Sequence, residues 1–206
     1  MMFIFYSAID LTLPHDTISP ISRSSQTMSQ QEVLPRDVAL RLGDQKYEKR
    51  KSAALEIEHL VKELLSKGNE EQVRSILQLL GSEFMNNSSP NYRKGGLIGL
   101  AACAIGLMES AHQFMDLLID PVLKCFEDPE SRVRYYACES LYNIAKVVRG
   151  KVLDRFNLIF DGLCKLSVDV NIDVKNGAIL LDGLMKDIVT GKIKKKNKKT
   201  KIMILY

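Results

Sequence analysis

The stretch Asp128-Pro129-Glu130-Ser131-Arg132-Val133-Arg134-Tyr135-Tyr136-Ala137 decides the fold, because its pattern of residue types recurs along the chain. The pattern is an aspartate, then a valine and a basic residue five and six places later, then an alanine nine places after the aspartate. Asp169, Val174-Lys175 and Ala178 reproduce it 41 residues further on. Apolar residues follow each copy at helical spacing, so the pattern predicts a turn followed by an amphipathic helix.

Two upstream segments extend the repeat. Asp44, Lys49-Arg50 and Ala53 keep the aspartate, the basic residue and the alanine, and Arg93-Lys94 marks a weaker copy. Starts near 44, 88, 128 and 169 give periods of 44, 40 and 41 residues, which are typical of two-helix repeats of the HEAT and armadillo type. The sequence therefore predicts an all-α, right-handed α-solenoid of about four helix pairs, with the recurring alanine facing the interior.

Charge separates the body of the chain from its last residues. The chain carries 29 basic and 25 acidic side chains, but seven of the lysines lie in residues 191–206, which contain no acid. Residues 1–190 therefore hold 22 basic and 25 acidic groups, a net charge of −3. We expect no nucleic acid as a partner of such a body, and only the basic tail is a candidate for binding nucleic acid or an anionic membrane surface.

Composition divides the chain into three parts. Residues 1–33 are rich in serine and threonine, and we expect a disordered N-terminal extension with Met28 as an alternative start. Residues 34–190 hold the repeats, and residues 191–206 are expected to form a disordered lysine-rich tail. No apolar run reaches the roughly 18–20 residues of a membrane span, so the longest, Gly95–Met108, is interpreted as a buried helix.

Apolar periodicity and capping residues predict the helix pairs. They are Pro35–Leu42 with Tyr47–Ser66, Glu70–Phe84 with Arg93–Met108, Phe114–Phe126 with Ser131–Val148, and Val152–Leu166 with Ile172–Val189. Ser89-Pro90, ahead of Arg93, is interpreted as an N-cap followed by a proline at the first helical position. Pro121 is expected to bend its helix, because proline removes a backbone hydrogen bond. Gly95, Gly96 and Gly99 are expected to let a neighbouring helix approach closely, and a phosphate-binding loop is disfavoured since no P-loop motif or preceding strand accompanies them.

No arrangement of residues in the sequence supports catalysis, a metal site or a cofactor. The three histidines are scattered, and there is no nucleophile motif or glycine-rich nucleotide loop. The four cysteines form no C-x-x-C pair and lie in apolar helical patterns, so we interpret them as buried reduced thiols. They are Cys103, Cys125, Cys138 and Cys164. These patterns predict a protein that binds other molecules rather than an enzyme.

A basic residue recurs just after each turn, and two interpretations of it remain open. Arg134 and Lys175 are placed to form ion pairs with the acidic turns of neighbouring repeats, as a ladder within the solenoid. Alternatively, the basic residues line an edge that meets an acidic partner. The candidate partner-binding residues on that edge are Arg93, Lys94, Arg132, Arg134, Tyr135 and Lys175.

Three segments go beyond the general repeat pattern. They are Asp44–Glu58, Arg93–Cys103, and Pro121–Phe126 with Ser131–Ile144 and Phe160–Leu163. Together they resemble the N-terminal HEAT region of the vacuole-morphology scaffold family, which organises the phosphatidylinositol 3-phosphate 5-kinase complex. The resemblance covers about residues 34–190. It is specific, because R-K-G-G-L-I-G-L-A-A-C and R-Y-Y-A-C-E-x-L-Y-N-I are not dictated by solenoid packing alone.

The resemblance implies a non-enzymatic scaffold without catalytic residues or cofactors. Its implied partners are the lipid kinase and the opposing Sac-type phosphoinositide phosphatase, whose contact the family assigns to its C-terminal part. The implied location is cytoplasmic, peripheral on endosomal or vacuolar membranes, where the family supports phosphatidylinositol 3,5-bisphosphate synthesis. Because family members continue well beyond this region, we expect a truncated form of the scaffold. The alternative is a generic HEAT-repeat adaptor of another trafficking or assembly pathway.

Overall fold

The computed structural model describes residues 33–191, and every regular element in that range is helical. The α-helices are α1 (Arg36–Leu42), α2 (Tyr47–Ser66), α3 (Glu70–Leu79), α4 (Pro90–Leu107), α5 (Met115–Leu118), α6 (Asp120–Lys124), α7 (Ser131–Val148), α8 (Phe156–Ser167) and α9 (Ile172–Val189). The predicted all-α helical-repeat solenoid is confirmed. Apart from positions 33 and 191, the expected N-terminal extension and lysine-rich tail lie outside the described residues.

Four long helices form a continuous row through the fold. α2 packs against α4, α4 against α7, and α7 against α9, so the second helices of successive repeats stack on one another. The shorter helices α1, α3, α5, α6 and α8 pack against this row. Each repeat thereby buries its apolar stripe against its own partner helix and against its neighbours, which is how a solenoid builds a continuous core.

Three of the four long helices have the bounds that the sequence predicts. Tyr47–Ser66, Ser131–Val148 and Ile172–Val189 are each one α-helix. The fourth, α4, begins at Pro90, which confirms the prediction that Ser89 is the N-cap and Pro90 the first helical residue. A proline is well suited to this first helical position, because its missing N–H would have no partner within the helix.

The first helices of the repeats are less regular than predicted. The continuous helix predicted over Phe114–Phe126 is wrong, because two short helices, α5 and α6, lie between 3-10 turns. Pro121 lies in the first turn of α6 and so begins a new helix rather than bending a long one. In addition, α3 gives way to a π-helical turn at Leu80–Phe84, and α8 begins only after the 3-10 turn Arg149–Arg155.

Small residues allow the long helices to pack closely. The alanines that recur in the repeat pattern, Ala53, Ala137 and Ala178, are all buried, as predicted. Gly96 holds the corresponding position in α4, and a Cβ there would lie 2.8 Å from the Cβ of Phe84. A larger side chain at any of these buried positions would therefore have to displace its neighbours.

Two more glycines of α4 face close neighbours. A Cβ at Gly95 would overlap the carbonyl oxygen of Leu42, and one at Gly99 would lie 3.0 Å from a methyl group of Leu80. Both glycines are buried within the helix. The prediction of close packing is confirmed, and the alternative of a phosphate-binding loop is excluded because these glycines are helical.

One helical stretch among residues 33–191, Pro90–Leu118, is long and apolar enough by length and composition to cross a membrane. The sequence-based expectation that no segment reaches this length is therefore corrected. Within the fold, 61% of its most apolar window is buried, since α4 lies between α2 and α7. A buried core helix passes the same test of length and composition.

Three of the four cysteines are buried free thiols, as predicted, and the fourth is exposed. Burial raises the pKa of Cys125 and of Cys138 to about 12. The prediction is wrong for Cys164, because this residue lies beside the buried stripe of α8 and not within it. The stripe is formed by Ile159, Leu163 and Leu166.

A cationic and aromatic candidate interface

Arginines at the turns connect successive repeats. The Arg93 guanidinium donates hydrogen bonds to both carboxylate oxygens of Asp128, from Nε at 2.7 Å and from Nη2 at 3.0 Å. Its Nη1 donates to the carbonyl oxygens of Asn87 and Ser88. The Arg93 and Asp128 side chains are only 12% and 7% exposed. One arginine therefore closes its own turn and holds the next turn through a bidentate ion pair.

Arg134 repeats this arrangement one repeat later. It donates to the carboxylate of Asp169 from Nε at 2.6 Å and from Nη2 at 2.9 Å, and to the carbonyl oxygens of Asp128 and Pro129 from Nη1. The hydrogen bonds from Arg134 hold the pKa of Asp169 below its usual value, and the charge of Lys175 acts in the same direction. We call the two bidentate pairs the ladder.

The ladder aspartates also organise their own turns. Asp128 Oδ1 accepts a hydrogen bond from the backbone N–H of Glu130 at 2.9 Å, and Asp169 Oδ1 accepts one from Asn171 at 2.8 Å. Each carboxylate thus satisfies a backbone donor in the turn that precedes a long helix. The recurrence of aspartate in the sequence reflects both roles.

On α2, Arg50 stands at the repeat position of the ladder arginines but has a different partner. Its Nη1 donates to the carbonyl oxygens of Asp44 and Gln45, as the ladder arginines do in their turns. Each ladder arginine reaches an aspartate 35 residues later, whereas Met85 stands at that distance from Arg50. The Arg50 Nη2 instead donates to the hydroxyl of Tyr136 at 3.1 Å. Arg50 is 3% exposed, and its Nε–H has no hydrogen-bond partner within residues 33–191.

Arg50 belongs to a cationic–aromatic cluster near the amino-terminal ends of α2, α4 and α7. The cluster consists of Tyr47, Arg50, Lys94, Arg132, Tyr135 and Tyr136. The Arg50 guanidinium lies 5.8 Å from the ring centre of Tyr47 and 5.7 Å from that of Tyr136. Arg132 lies 5.3 Å from the ring of Tyr135 and 5.9 Å from that of Tyr136. Cation–π contacts of this kind hold both guanidinium groups against aromatic faces.

Lys94 lies half-buried among these cations. It forms no hydrogen bond or ion pair with another residue in the described range. Burial lowers the pKa of its ammonium group, the charges of Arg50 and Arg132 lower it further, and Glu130 acts in the opposite direction. The Lys94 ammonium therefore lies in a site where positive charge exceeds negative charge.

Arg132 and Tyr135 form the exposed side of the cluster. The Arg132 side chain is 52% exposed and pairs with Asp173 at 3.5 Å, whose side chain is 55% exposed. An ion pair this open to water contributes little to stability. Burial raises the pKa of Tyr135 to about 12, and the charge of Glu139 acts in the same direction. Tyr135 therefore remains a neutral phenol at physiological pH.

A groove of about 40 Å³ lies between α2, α4 and α7, and Tyr47 and Tyr136 of the cluster line part of it. We call it the central groove. Its apolar lining residues are Ala54, Leu55, Ile98, Ala101, Ala102 and Ile105. Its other polar lining residues are Lys51, Glu58, Glu139, Ser140 and Asn143. The shared tyrosines place apolar surface directly beside the cationic cluster.

The structure separates the six candidate residues that the sequence suggests. Lys94, Arg132 and Tyr135 belong to the cluster. Arg93 and Arg134 form the ladder, and Lys175 on α9 stands at the corresponding position of its repeat. The ladder interpretation is therefore confirmed for Arg134 and also describes Arg93, since both guanidinium groups are bonded within the solenoid. It is wrong for Lys175, which forms no ion pair with the turn of another repeat within residues 33–191.

Sequence reasoning missed Tyr47, Arg50 and Tyr136 as members of the cluster. One signal was present: Arg50 stands six residues after Asp44, but Met85 stands where its ladder aspartate would be. A basic repeat position without its acidic partner indicates a different contact.

A second surface, at the C-terminal end of the helix row, is apolar. We use the name C-terminal apolar face for the exposed apolar side chains of the last two helices, which are Phe156, Phe160, Ile179, Leu180 and Val189. The rings of Phe156 and Phe160 stack with their centres 5.9 Å apart. A cavity of about 180 Å³ lies beside them, between α8 and α9. The face lies where a further repeat would pack against the row.

Residues 91–187 match the family described as the Vacuolar 14 Fab1-binding region. The match runs from the first turn of α4 to the last turn of α9 and includes both ladder pairs. This part of the chain belongs to the Vac14 family. This membership confirms the resemblance seen in the sequence.

Relatives from plants and yeasts align with most of this chain. The Protein VAC14 homolog of Arabidopsis thaliana is 52% identical over 157 residues, which are 76% of this chain and 21% of the relative. The Protein VAC14 homolog of Schizosaccharomyces pombe is 51% identical over 145 residues, 69% of this chain and 18% of the relative. The Vacuole morphology and inheritance protein 14 of Saccharomyces cerevisiae is 45% identical over 158 residues, 76% of this chain and 18% of the relative. The chain thus spans about a fifth of the length of these Vac14 relatives.

Proposed function

We propose that this Vac14-family chain is a non-enzymatic scaffold segment that binds a Fab1-type phosphatidylinositol 3-phosphate 5-kinase. The observation that carries the proposal is the match of residues 91–187 to a family described as a Fab1-binding region. That range contains α4, α7 and α9, three of the four helices of the stacked row.

The construction of the solenoid supports a binding role. Stacked repeats present side chains of successive helices at fixed spacing, and each repeat depends on its neighbours for position. The buried ladder pairs hold the turns of successive repeats together. Lys94 on α4 and Arg132 on α7 therefore keep a defined arrangement, which a partner needs for specific recognition.

Within the complete complex, this scaffold supports synthesis of phosphatidylinositol 3,5-bisphosphate at endosomal or vacuolar membranes. It associates with the membrane peripherally, through its partners. A Sac-type phosphoinositide phosphatase is the second proposed partner, and its contact belongs to parts of the scaffold outside residues 33–191. The 206-residue chain should compete with a full-length scaffold for the kinase.

Capture of a purified Fab1-type kinase on the immobilised chain tests the proposal. We expect binding that saturates with kinase concentration. Ala137→Arg should abolish it, because the charge enters the packed seam at a residue that is fully buried. Leu40→Arg is the matched control, since Leu40 is exposed on α1 and its variant should fold and bind normally. A folded wild-type chain that captures no kinase would refute the proposal and favour a generic HEAT-repeat adaptor.

A second measurement addresses the lipid product. Overexpression of the chain beside a full-length scaffold should lower phosphatidylinositol 3,5-bisphosphate and enlarge endosomal vacuoles, because the chain would withdraw kinase from the complete complex. The Ala137→Arg variant should leave both quantities unchanged. Normal lipid levels at high wild-type expression would argue against competition.

A further inference from the structure

We propose that the cationic–aromatic cluster and the central groove together dock an acidic, amphipathic segment of a protein partner. A carboxylate of that segment meets Lys94 and Arg132, and a neighbouring aliphatic side chain enters the central groove. This inference deepens the proposed function, and it rests on that function only for the identity of the partner as the kinase.

Lys94 carries the electrostatic part of the inference. Its ammonium group is half-buried, lies in the field of two guanidinium groups, and has no hydrogen bond or ion pair within residues 33–191. Burial of an ammonium without a counter-ion is unfavourable. A partner carboxylate at this position would relieve the repulsion from Arg50 and Arg132 and form charge-assisted hydrogen bonds.

The acidic residues around the cluster leave room for such a carboxylate. Glu130 accepts a hydrogen bond from the backbone N–H of Arg132 and so caps α7. Glu139 lies toward Tyr47 and Tyr135, where its charge contributes to raising the pKa of both phenols. Asp173 reaches Arg132 only through a 3.5 Å contact that is open to water. A partner carboxylate can therefore join or replace Asp173 with little loss of stability.

The central groove supplies the apolar part of the site. Its volume of about 40 Å³ corresponds to about three water molecules, roughly the space of one leucine or isoleucine side chain. Leu55 is partly exposed along it, and Ile98 is half-buried beside it. Because Tyr47 and Tyr136 belong to both the groove and the cluster, an aliphatic side chain and a carboxylate on one short segment can occupy the two sites together.

This combination favours a protein segment over a lipid headgroup or a nucleic acid. A headgroup phosphate would use the cations but would leave the groove unfilled, and nucleic acid binding depends on many phosphate contacts. Residues 1–190 carry a net charge of −3, which opposes long-range attraction to a polyanionic nucleic acid or membrane surface more than to a segment with one or two carboxylates.

The first test measures kinase affinity for three matched variants. The double variant Lys94→Glu with Arg132→Glu should weaken binding at least tenfold, while Lys67→Glu with Lys151→Glu, which reverses two exposed charges elsewhere, should change it less than twofold. Leu55→Glu should weaken binding at least fivefold. Wild-type affinity should fall as salt increases, because the carboxylate contact is screened.

Two outcomes of this test separate the inference from the proposed function. Equal kinase binding by all variants would overturn the docking site while leaving the kinase scaffold intact. Absence of kinase binding by the wild-type chain would refute the scaffold proposal, and the docking site is then decided by a second test that needs no kinase.

The second test selects ligands from a phage-displayed library of random 12-residue peptides on the wild-type chain. We expect enriched peptides with aspartate or glutamate within two residues of leucine, isoleucine or valine. Synthesised peptides should lose at least tenfold affinity for the Lys94→Glu, Arg132→Glu variant. Enriched peptides without acidic residues, or with equal affinity for that variant, would overturn the inference. So would Lys94-dependent sedimentation with phosphatidylcholine vesicles containing phosphatidylinositol 3-phosphate, since that result assigns the site to a lipid phosphate.

Discussion

Arg50 and Tyr136 are joined by a hydrogen bond of 3.1 Å although they stand 86 residues apart in the sequence. Arg50 belongs to α2 and Tyr136 to α7, so the bond links the first repeat to the third. The phenol takes the place of the aspartate that the ladder arginines reach, and it provides a neutral acceptor instead of a carboxylate.

Removal of the Tyr136 hydroxyl tests the importance of this link. Tyr136→Phe should lower the free energy of unfolding by about 1.5–3 kcal/mol, because a buried hydrogen bond to a charged group is lost. Tyr142→Phe is the control, since its half-buried ring contacts Lys146 through its face at 5.2 Å. Urea denaturation monitored by circular dichroism measures both variants. Equal stability of the two variants would show that the bond contributes nothing.

The ladder should stabilise the fold more than exposed charged groups do. Asp169→Asn removes the carboxylate that Arg134 binds through two hydrogen bonds, and we expect a loss of about 1.5–3 kcal/mol because the side chains of the pair are largely buried. Asp161→Asn, at an exposed position on α8, should change stability by less than about 0.5 kcal/mol. Thermal denaturation of the two variants would contradict the prediction if their midpoints coincide.

The pH dependence of the stability of Asp169→Asn shows whether the loss comes from the charged carboxylate. The hydrogen bonds from Arg134 lower the pKa of Asp169 from its usual value of 3.8. A carboxyl group with a lowered pKa in the folded state stabilises the fold above its unfolded pKa, and this contribution is lost as the pH falls through the folded pKa. The stability difference between wild type and Asp169→Asn should therefore be largest near neutral pH and shrink below pH 3.8. A difference that stays constant from neutral pH to about pH 2 would indicate a packing effect instead.

Glycine substitutions distinguish close packing from helix propensity. Gly95→Ala should destabilise the fold by about 1–3 kcal/mol, because its Cβ overlaps the carbonyl oxygen of Leu42 and the backbone must move. Gly183→Ala is the control, because it lies in α9 with open space around the new methyl group. Alanine there should stabilise the helix by up to about 1 kcal/mol. Effects of the same sign at both positions would contradict the packing explanation.

The sequence predicted most accurately what depends on local repetition. The bounds of α2, α7 and α9 follow from long apolar stripes, and the ladder follows from an aspartate and a basic residue that recur at one spacing. The first helices were less predictable, because Pro121 and short apolar segments allow several helix types of similar energy. Cys164 shows the same limit, since a shift of one residue around a helix moves a side chain out of the core.

The cluster could be predicted only in part. Lys94, Arg132 and Tyr135 stand beside ladder residues, so the repeat pattern drew attention to them. The positions of Arg50 and Tyr136 depend on how three helices from different repeats stack, and no local pattern encodes a contact between residues that far apart. The excess positive charge around Lys94 likewise arises only when α2, α4 and α7 come together.

Two long helices end in the same strained backbone conformation. Met108 after α4 and Arg149 after α7 both have a φ of 51°. Residues other than glycine rarely adopt this left-handed backbone conformation. Arg149→Gly should therefore stabilise the chain by about 1 kcal/mol, as relief of strain outweighs the added freedom of the unfolded chain. Lys151→Gly, two residues later, should give no stabilisation, because that residue has no positive φ. Destabilisation by Arg149→Gly would show that the arginine side chain has an unrecognised contact.

The C-terminal apolar face should make the chain self-associate. Each solenoid unit is stable through contact with its neighbours, and a terminal unit without a polar cap exposes the surface that the next unit would cover. Ile179 on α9 stands 41 residues after Cys138 on α7, yet Ile179 is 65% exposed and Cys138 is 1% exposed. We expect sedimentation velocity at micromolar concentrations to show a reversible equilibrium between monomer and larger species. Phe160→Glu with Ile179→Glu should shift it to monomer, whereas Leu40→Glu with Met108→Glu, which adds the same charge at exposed apolar positions elsewhere, should not. A wild-type chain that stays monomeric at high concentration, or loss of association in the control variant, would contradict the role of this face.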